Sequence, residues 1–291
     1  MSYIDAMPLD CDPIARFLCE RTGGWMPVER AKDVVSNIVS GPDAVRELWQ
    51  DGARTAIGII VDTCETTGNA AELSLFCAVA DPALLDQLLD WARERLRGSP
   101  RQNLDIPRWP GLFVPEDWLA GRGFSRAHTL HEMAREGLEL PSPPAPLPRG
   151  WQWCDYTDAH FDGFYEVLSQ AFRDVPGAFV LERGMARARA RRLAIPPQLL
   201  CREGEVAAFV RLDVSGTSGD IAMLGRHPRH RGAGLGPHLI QRGLVVLVAH
   251  GARRQLLEVA AENDRAMALY ERAGFARVRS YDVWRRPLSL R

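Results

Sequence analysis

Two stretches of this chain repeat each other at a fixed distance, and that repeat restricts the fold more than any other feature. LAGRGFSRAHTLHEMAR and YERAGFARVRSYDVWRR place Gly123-Phe124 and Gly274-Phe275 at an offset of 151 residues. AIGIIVD, ending at Asp62, and AFVRLD, ending at Asp213, stand at the same offset. A chain of 291 residues is long enough for two domains with separate cores. The repeat therefore predicts two copies of one domain in tandem. Between them ELPSPPAPLPRG carries prolines at 141, 143, 144, 146 and 148, which favours an extended, semi-rigid spacer. The expected division is 1–138 and 151–291 for the domains and 139–150 for the linker.

In the second copy QLLCR, the turn EGE and VAAFVRLDV read as an antiparallel hairpin. A third strand runs from Asp220 to about Arg226 after the turn SGTSG. Then follow a glycine loop, an apolar helix from Pro237 to His250, the strand RQLLEVA, a helix from Asn263 to Ala273 and a last strand. Asn263 is a suitable N-cap for that helix and Gly274 a suitable C′ residue. Phe161, Phe164, Tyr165 and Leu168 recur at i, i+3, i+4 and i+7, predicting an amphipathic helix over 158–172. The first copy repeats the order, with strands at 44–50, 53–62, 70–79 and 102–106 and helices at 82–97 and 115–121. The fold class is α/β with a mixed, α+β-type sheet.

Basic residues number 36 and acidic residues 37, a net charge of -1, so no global field draws the chain to nucleic acid or to an anionic membrane. The most apolar stretch, Leu244 to Ala249, is far short of the ~18–20 residues that span a bilayer. Cys11, Cys19, Cys64, Cys77, Cys154 and Cys201 form no C-x-x-C pair, so no metal is expected and the thiols are expected to be free. MSYIDAMPLDCD lacks the basic and apolar regions of a secretory signal, and a cytoplasmic protein is expected.

Arg231-Gly232-Ala233-Gly234-Leu235-Gly236 lies between a strand and a helix that opens with Pro237. Glycines let backbone N–H groups converge on an anion, and a helix N-terminus adds partial positive charge, so the segment suits a pyrophosphate. The fingerprint G-x-G-x-x-G is out of register here, and the Gly-Lys-Ser/Thr of a Walker loop is missing. A turn needed only for tight packing is the other reading of the loop alone. Taken with the later AENDRAMALYERAGF, the run LGRHPRHRGAGLGPHLI resembles the acetyl-CoA site of the GNAT acetyltransferase superfamily. That family's loop, R/Q-x-x-G-x-G/A, is matched by Arg231, Gly234 and Gly236. Its N-x-x-A-x-x-x-Y followed by Gly-Phe is matched by Asn263, Ala266, Tyr270 and Gly274-Phe275.

The resemblance implies acetyl-CoA as co-substrate. Leu224, Gly225 and Arg226 would pair with the pantetheine arm as an added strand does. Arg231, Gly232, Ala233, Gly234, Leu235, Gly236 and the helix start at Pro237 would hold the pyrophosphate, and Asn263 and Ala266 would flank the cofactor. Asn263 serves equally well as a plain helix cap. Acetyl transfer from a thioester needs a neutral amine, a polarised carbonyl oxygen and a proton for the departing thiolate. A backbone N–H near Arg226 is the expected oxyanion donor. Tyr270 is the expected acid, and otherwise a core aromatic. Asp220 is four residues before Leu224, where histone-acetylating members carry a glutamate base; an aspartate after a Gly/Ser turn is also commonly solvated. Glu258 is the second candidate base and His227 the third. The resemblance also implies that the helix over 158–172 and a second over 181–193, joined by RDVPGAFV, close the acceptor pocket; the second carries Arg183, Arg187, Arg189, Arg191 and Arg192, either a solvated face or a site for an acidic acceptor.

The first copy has PALLDQLLDWARE where the second has PRHRGAGLGPHLI, with no glycine between Pro82 and Gly98 and no counterpart of N-x-x-A-x-x-x-Y. It is expected to be a degenerate copy. The resulting expectation is a tandem N-acetyltransferase with one active site, in the second copy, acting on a primary amine of a small molecule. Tandem members of this length include a class that acetylates the amine of a sugar-linked cysteine; aminoglycosides, amino acids and polyamines stay open. The alternatives are a non-catalytic acyl-CoA sensor and a protein or peptide N-acetyltransferase.

Overall fold

The computed structural model describes residues 11–21, 44–50, 53–61, 64–66, 69–77, 81–109, 114–173, 175 and 178–288. In chain order the first elements are α1 (Cys11–Arg21), β1 (Ala44–Gln50), β2 (Ala53–Val61), β3 (Cys64–Thr66), β4 (Ala70–Cys77), α2 (Pro82–Arg95), β5 (Asn103–Pro107), α3 (Glu116–Gly121) and β6 (Ser125–Glu136). Next are β7 (Trp151–Cys154), α4 (Phe161–Phe172), β8 (Phe179–Leu181), α5 (Arg183–Ala190), β9 (Gln198–Arg202) and β10 (Glu205–Ser215). The chain ends with β11 (Ser218–Arg226), α6 (Gly236–Ala249), β12 (Arg254–Ala260), α7 (Asp264–Arg272) and β13 (Ala276–Pro287). The expected elements occur within a few residues of their predicted bounds; α1, β3, β7 and β8 are additional. Asp51 and Gly52 between the first two predicted strands, together with Asp62, Val79, Ala80, Asp174 and Pro176, lie outside the described residues. Among the described residues no helix is long and apolar enough to cross a membrane.

The compact units do not follow the expected boundaries. One comprises residues 1–64, 68–127 and 281–291, the other 65–67 and 128–280. The division 1–138, 139–150, 151–291 is thus crossed at both ends, because the last strand of each copy pairs in the other copy's sheet. In unit 1, β13 pairs antiparallel with β5, from Val283↔Pro107 to Pro287↔Asn103. In unit 2, β6 pairs antiparallel with β12, from Arg254↔Glu136 to Ala260↔Leu130. Two copies of one domain present equivalent strand edges, so either terminal strand satisfies either edge's backbone groups.

In unit 1, β1, β2 and β4 form an antiparallel ladder, and β4 joins β5 in parallel at Ala70–Glu72. Leu84, Leu85, Leu88, Leu89 and Ala92 recur at helical spacing and bury one face of α2. They pack with Leu73, Leu75, Leu104 and Ile106 of the sheet. The arm of β13 also delivers Arg285, whose Nε and Nη2 donate to the two carboxylate oxygens of Asp105 at 2.7 Å. Asp105 is 7% exposed, so Arg285→Met leaves a buried carboxylate unpaired. A loss of about 2 kcal/mol is expected in the urea unfolding of unit 1, largely recovered on adding Asp105→Leu.

Unit 2 orders its strands β7-β9-β10-β11-β12-β6, followed by the start of β13. One face is covered by α6 and α7, through Leu239, Ile240, Leu244, Leu247 and Tyr270. The other is covered by α4 and α5, through Phe161, Phe164, Val167, Leu168 and Ala186. β10 serves both cores by alternation. Phe209 points to α4, while Val210 and Leu212 point to α6.

Candidate active site

β11 and β12 pair in parallel only over Ser218–Asp220 and Arg254–Leu256. Beyond that rung they diverge, each still paired on its far side with β10 or β6. The result is a V-shaped opening in the sheet. Its cause is local: the β10–β11 register runs Arg211↔Met223 and then Leu212↔Ile221, leaving Ala222 as an extra residue in a bulge. Across the bulge the side-chain alternation reverses. Gly219 faces α6, where a Cβ would meet Leu247 and Ala252 at 2.8 Å, whereas Gly225 faces α4. Leu224 and Arg226 consequently turn toward α6 and α7.

The main chain follows the same logic. His227 N donates to Ala207 O at 2.9 Å, so by strand alternation residues 225 and 227 bond toward β10. Leu224 and Arg226 then present N–H and C=O groups to the opening, as an arm paired in the manner of a strand requires. Gly225 does not share that role, and the expectation is corrected there. Its main chain faces β10, and a Cβ would lie 2.8 Å from Phe209 and 3.1 Å from Ala171 and Phe172. It is glycine so that α4 can close on the sheet.

In the loop Gly232 (φ +84°) and Gly234 (φ +69°) occupy left-handed conformations. A Cβ on either would meet nothing within 4 Å, so the space before them is open. Among the described residues the amides of Gly232, Gly234 and Leu235 find no hydrogen-bond acceptor, and α6 begins without a side-chain cap or an acidic first turn. Unsatisfied N–H groups at an uncapped helix start suit a diphosphate. Arg231 departs from expectation: its amide donates to Pro228 O at 3.0 Å, closing a short 3-10 turn that begins at Pro228. The Ala233 amide makes only a long bond to His230 O, 3.4 Å. At Gly236 a Cβ would lie 2.9 Å from Leu269, so glycine lets α6 approach α7.

Asn263 caps α7, its Oδ1 accepting from the Ala266 amide at 3.2 Å. One turn before the helix ends, Tyr270 is 9% exposed. Burial pushes its hydroxyl up to about 12, opposed by the nearby Arg226 charge. Asp220 ends the paired segment of β11, directly across from Asp213. It turns away from α6, on the α4 face. Glu258, exposed, stands on that face of β12 opposite Glu132 of β6. Tyr270 and the carboxylates Asp220 and Glu258 thus lie on opposite faces of the opening. Glu132, 2% exposed and paired with Arg279 at 3.4 Å, could not be assigned here from sequence, because the strand that carries it is exchanged. His227 is otherwise engaged: Nε2 lies 3.5 Å from Glu166 and Nδ1 accepts from the Arg229 amide.

Three of the five arginines in and just after α5 are already paired. Arg183 and Arg187 both donate to Asp162, Arg191 pairs with Asp158, and Arg187 lies over the Phe161 ring. They fasten α5 to α4 and its leading turn.

Residues 148–275 match the family model described as the acetyltransferase (GNAT) family. The mycothiol acetyltransferase of Clavibacter michiganensis subsp. michiganensis is 31% identical over 267 residues, 87% of this chain and 83% of that protein. The mycothiol acetyltransferase of Beutenbergia cavernae is 34% identical over 244 residues, 76% of this chain and 78% of that protein. A GCN5-related N-acetyltransferase from Sphaerobacter thermophilus has the same fold, with a TM-score of 0.73 and 21% identity over 97% of this chain and 94% of the other. So has a tandem GNAT protein from the clavulanic acid biosynthesis pathway, with a TM-score of 0.66 and 14% identity over 96% of each chain. Identity sustained along most of the chain, joined to a fold shared with a tandem protein, shows that this chain belongs to the GNAT family and is an N-acetyltransferase.

Proposed function

We propose that this enzyme moves the acetyl group of acetyl-CoA to a primary amine of a small molecule, using one active site, in unit 2. A contrast between its two copies carries the reading. In unit 2 the helix start behind the loop is uncapped and the sheet is open beside it. In unit 1 the Asp81 carboxylate accepts from the Ala83 amide at 2.8 Å, so an anion of the chain's own occupies the equivalent helix start. There β4 and β5 also stop pairing after Glu72 and Asp105. Trp109 reaches across that gap, its Nε1 donating to Ser74 Oγ at 3.4 Å. Unit 1 is therefore read as a degenerate copy, filled by its own side chains.

Bound acetyl-CoA supplies the thioester. Amides of Gly232, Gly234 and Leu235 hold the diphosphate, and Leu224 and Arg226 align the arm by main-chain bonds. The Arg226 N–H draws charge onto the carbonyl oxygen. Asp220 takes the proton of an incoming ammonium on the α4 face, with Glu258 as the second candidate, and Tyr270 protonates the sulfur. On that face Asp213, Asp220, Glu258 and Glu132 outnumber Arg211 and Arg279, which suits a cationic acceptor. Given the names of the relatives, we take the acceptor to be the amine of a sugar-linked cysteine. Free thiols at Cys19, Cys77, Cys154 and Cys201 accord with a reducing cytoplasm.

Release of free CoA across a panel of sugar-linked cysteines, aminoglycosides, amino acids and polyamines tests this. The highest kcat/KM is expected with the sugar-linked cysteine. Preference for another amine would overturn the acceptor class, and no turnover with any would overturn the small-molecule reading.

A further inference from the structure

Arg226 closes β11 on the face of α6 and α7, an orientation set by the bulge at Ala222 and by Gly225, which faces α4. Its Nε is buried and has no hydrogen-bond partner among the described residues. Tyr270 belongs to the side-chain cluster on that same face, and Arg226 is the charge that acts on its hydroxyl against the effect of burial. The carboxylates Asp213, Asp220, Glu258 and Glu132 are turned to the opposite face. A buried guanidinium N–H without an acceptor calls for an explanation, and negative charge that forms only during the reaction supplies one. The charge that acetyl transfer creates on this face is that of the departing thiolate and of the phenol serving it.

We propose that Arg226 is a positioning residue for acetyl transfer, stabilising the negative charge that gathers on the Tyr270 oxygen as the phenol proton passes to the thiolate of CoA. The inference rests on Tyr270 being the acid. The amine nitrogen forms the new C–N bond, and the C–S bond breaks with its electron pair on sulfur. Sulfur takes the phenol proton, the ammonium proton leaves through the base on the α4 face, and solvent reprotonates the phenolate. Arginine suits this place because it stays charged throughout and does not itself serve as the acid.

The test combines kinetics, calorimetry and a change in phenol acidity. Arg226→Met should lower kcat about tenfold while the calorimetric Kd for acetyl-CoA stays unchanged, and Arg226→Lys should recover most of the rate. A fluorotyrosine at position 270, more acidic than tyrosine, should restore kcat in the Arg226→Met protein, which a merely structural role for the arginine does not allow. In a Tyr270→Phe background Arg226→Met should add less than about a twofold loss, since the two act as one unit. A full further loss in that background, failure of the fluorotyrosine to rescue, or a loss confined to Kd would overturn the inference and leave the acid assignment standing. Tyr270→Phe turning over at the wild-type rate would remove the acid assignment itself, and this inference with it.

Discussion

Asp220→Asn should lower kcat by about 10²- to 10⁴-fold, the usual contribution of a general base, while the Kd for acetyl-CoA holds. The amide keeps the size of the carboxylate and much of its hydrogen bonding but cannot take a proton. Asp220 stands on the last paired rung before β11 and β12 part, so the backbone on both sides fixes it where the opening begins. It faces α4, away from Tyr270, so the proposed mechanism takes the amine proton and the sulfur proton on separate faces. With Asp220 removed, activity should climb with pH toward the pKa of the acceptor amine, as a growing fraction arrives already neutral. Glu258→Gln provides the comparison, since Glu258 shares the face but lies on the far strand, opposite Glu132. A full rate in Asp220→Asn together with a collapse in Glu258→Gln would transfer the role to β12.

The order of strands and helices was legible because each element is written locally. Leu84, Leu85, Leu88 and Leu89 recur at helical spacing, and QLLCR and VAAFVRLDV flank a short turn. The glycine loop and the Asn263 cap were legible for the same reason. The exchange of β6 and β13 was not, because the two last strands are near copies and local pattern cannot say which edge each will join. Glu132 was lost with it, assigned by sequence to the first copy and found on the α4 face of unit 2. The bulge at Ala222 left no signal either, yet it decides that Gly225 packs against α4 while Leu224 and Arg226 serve the opening. The engagement of the Arg231 amide depends on a turn beginning at Pro228, whose closure is a matter of geometry rather than composition. Likewise nothing in the sequence singles out Asp81, whose carboxylate accepts from the Ala83 amide at the helix start that unit 2 leaves uncapped.

That last difference makes binding the sharpest test of unequal copies. Gly234→Val should weaken acetyl-CoA by at least about 100-fold in calorimetry. Gly234 sits at φ +69°, where a β-branched residue is strongly disfavoured, so the substituted loop will leave this conformation. The amides of Gly232, Gly234 and Leu235 then no longer converge. Each charge-assisted bond to a diphosphate is worth roughly 1.5–3 kcal/mol, so losing two accounts for the change in Kd. Because a Cβ at this position meets nothing within 4 Å, the core is untouched and the melting temperature should stay within a few degrees. Asp81→Asn, at the equivalent helix start in unit 1, should leave the affinity as it is, with one acetyl-CoA bound per chain. Two bound per chain, or equal losses in both variants, would mean that unit 1 keeps a working site despite its capped helix and filled gap. Tight binding by Gly234→Val would instead mean that the main-chain pairing along Leu224 and Arg226 holds the cofactor and the loop adds little.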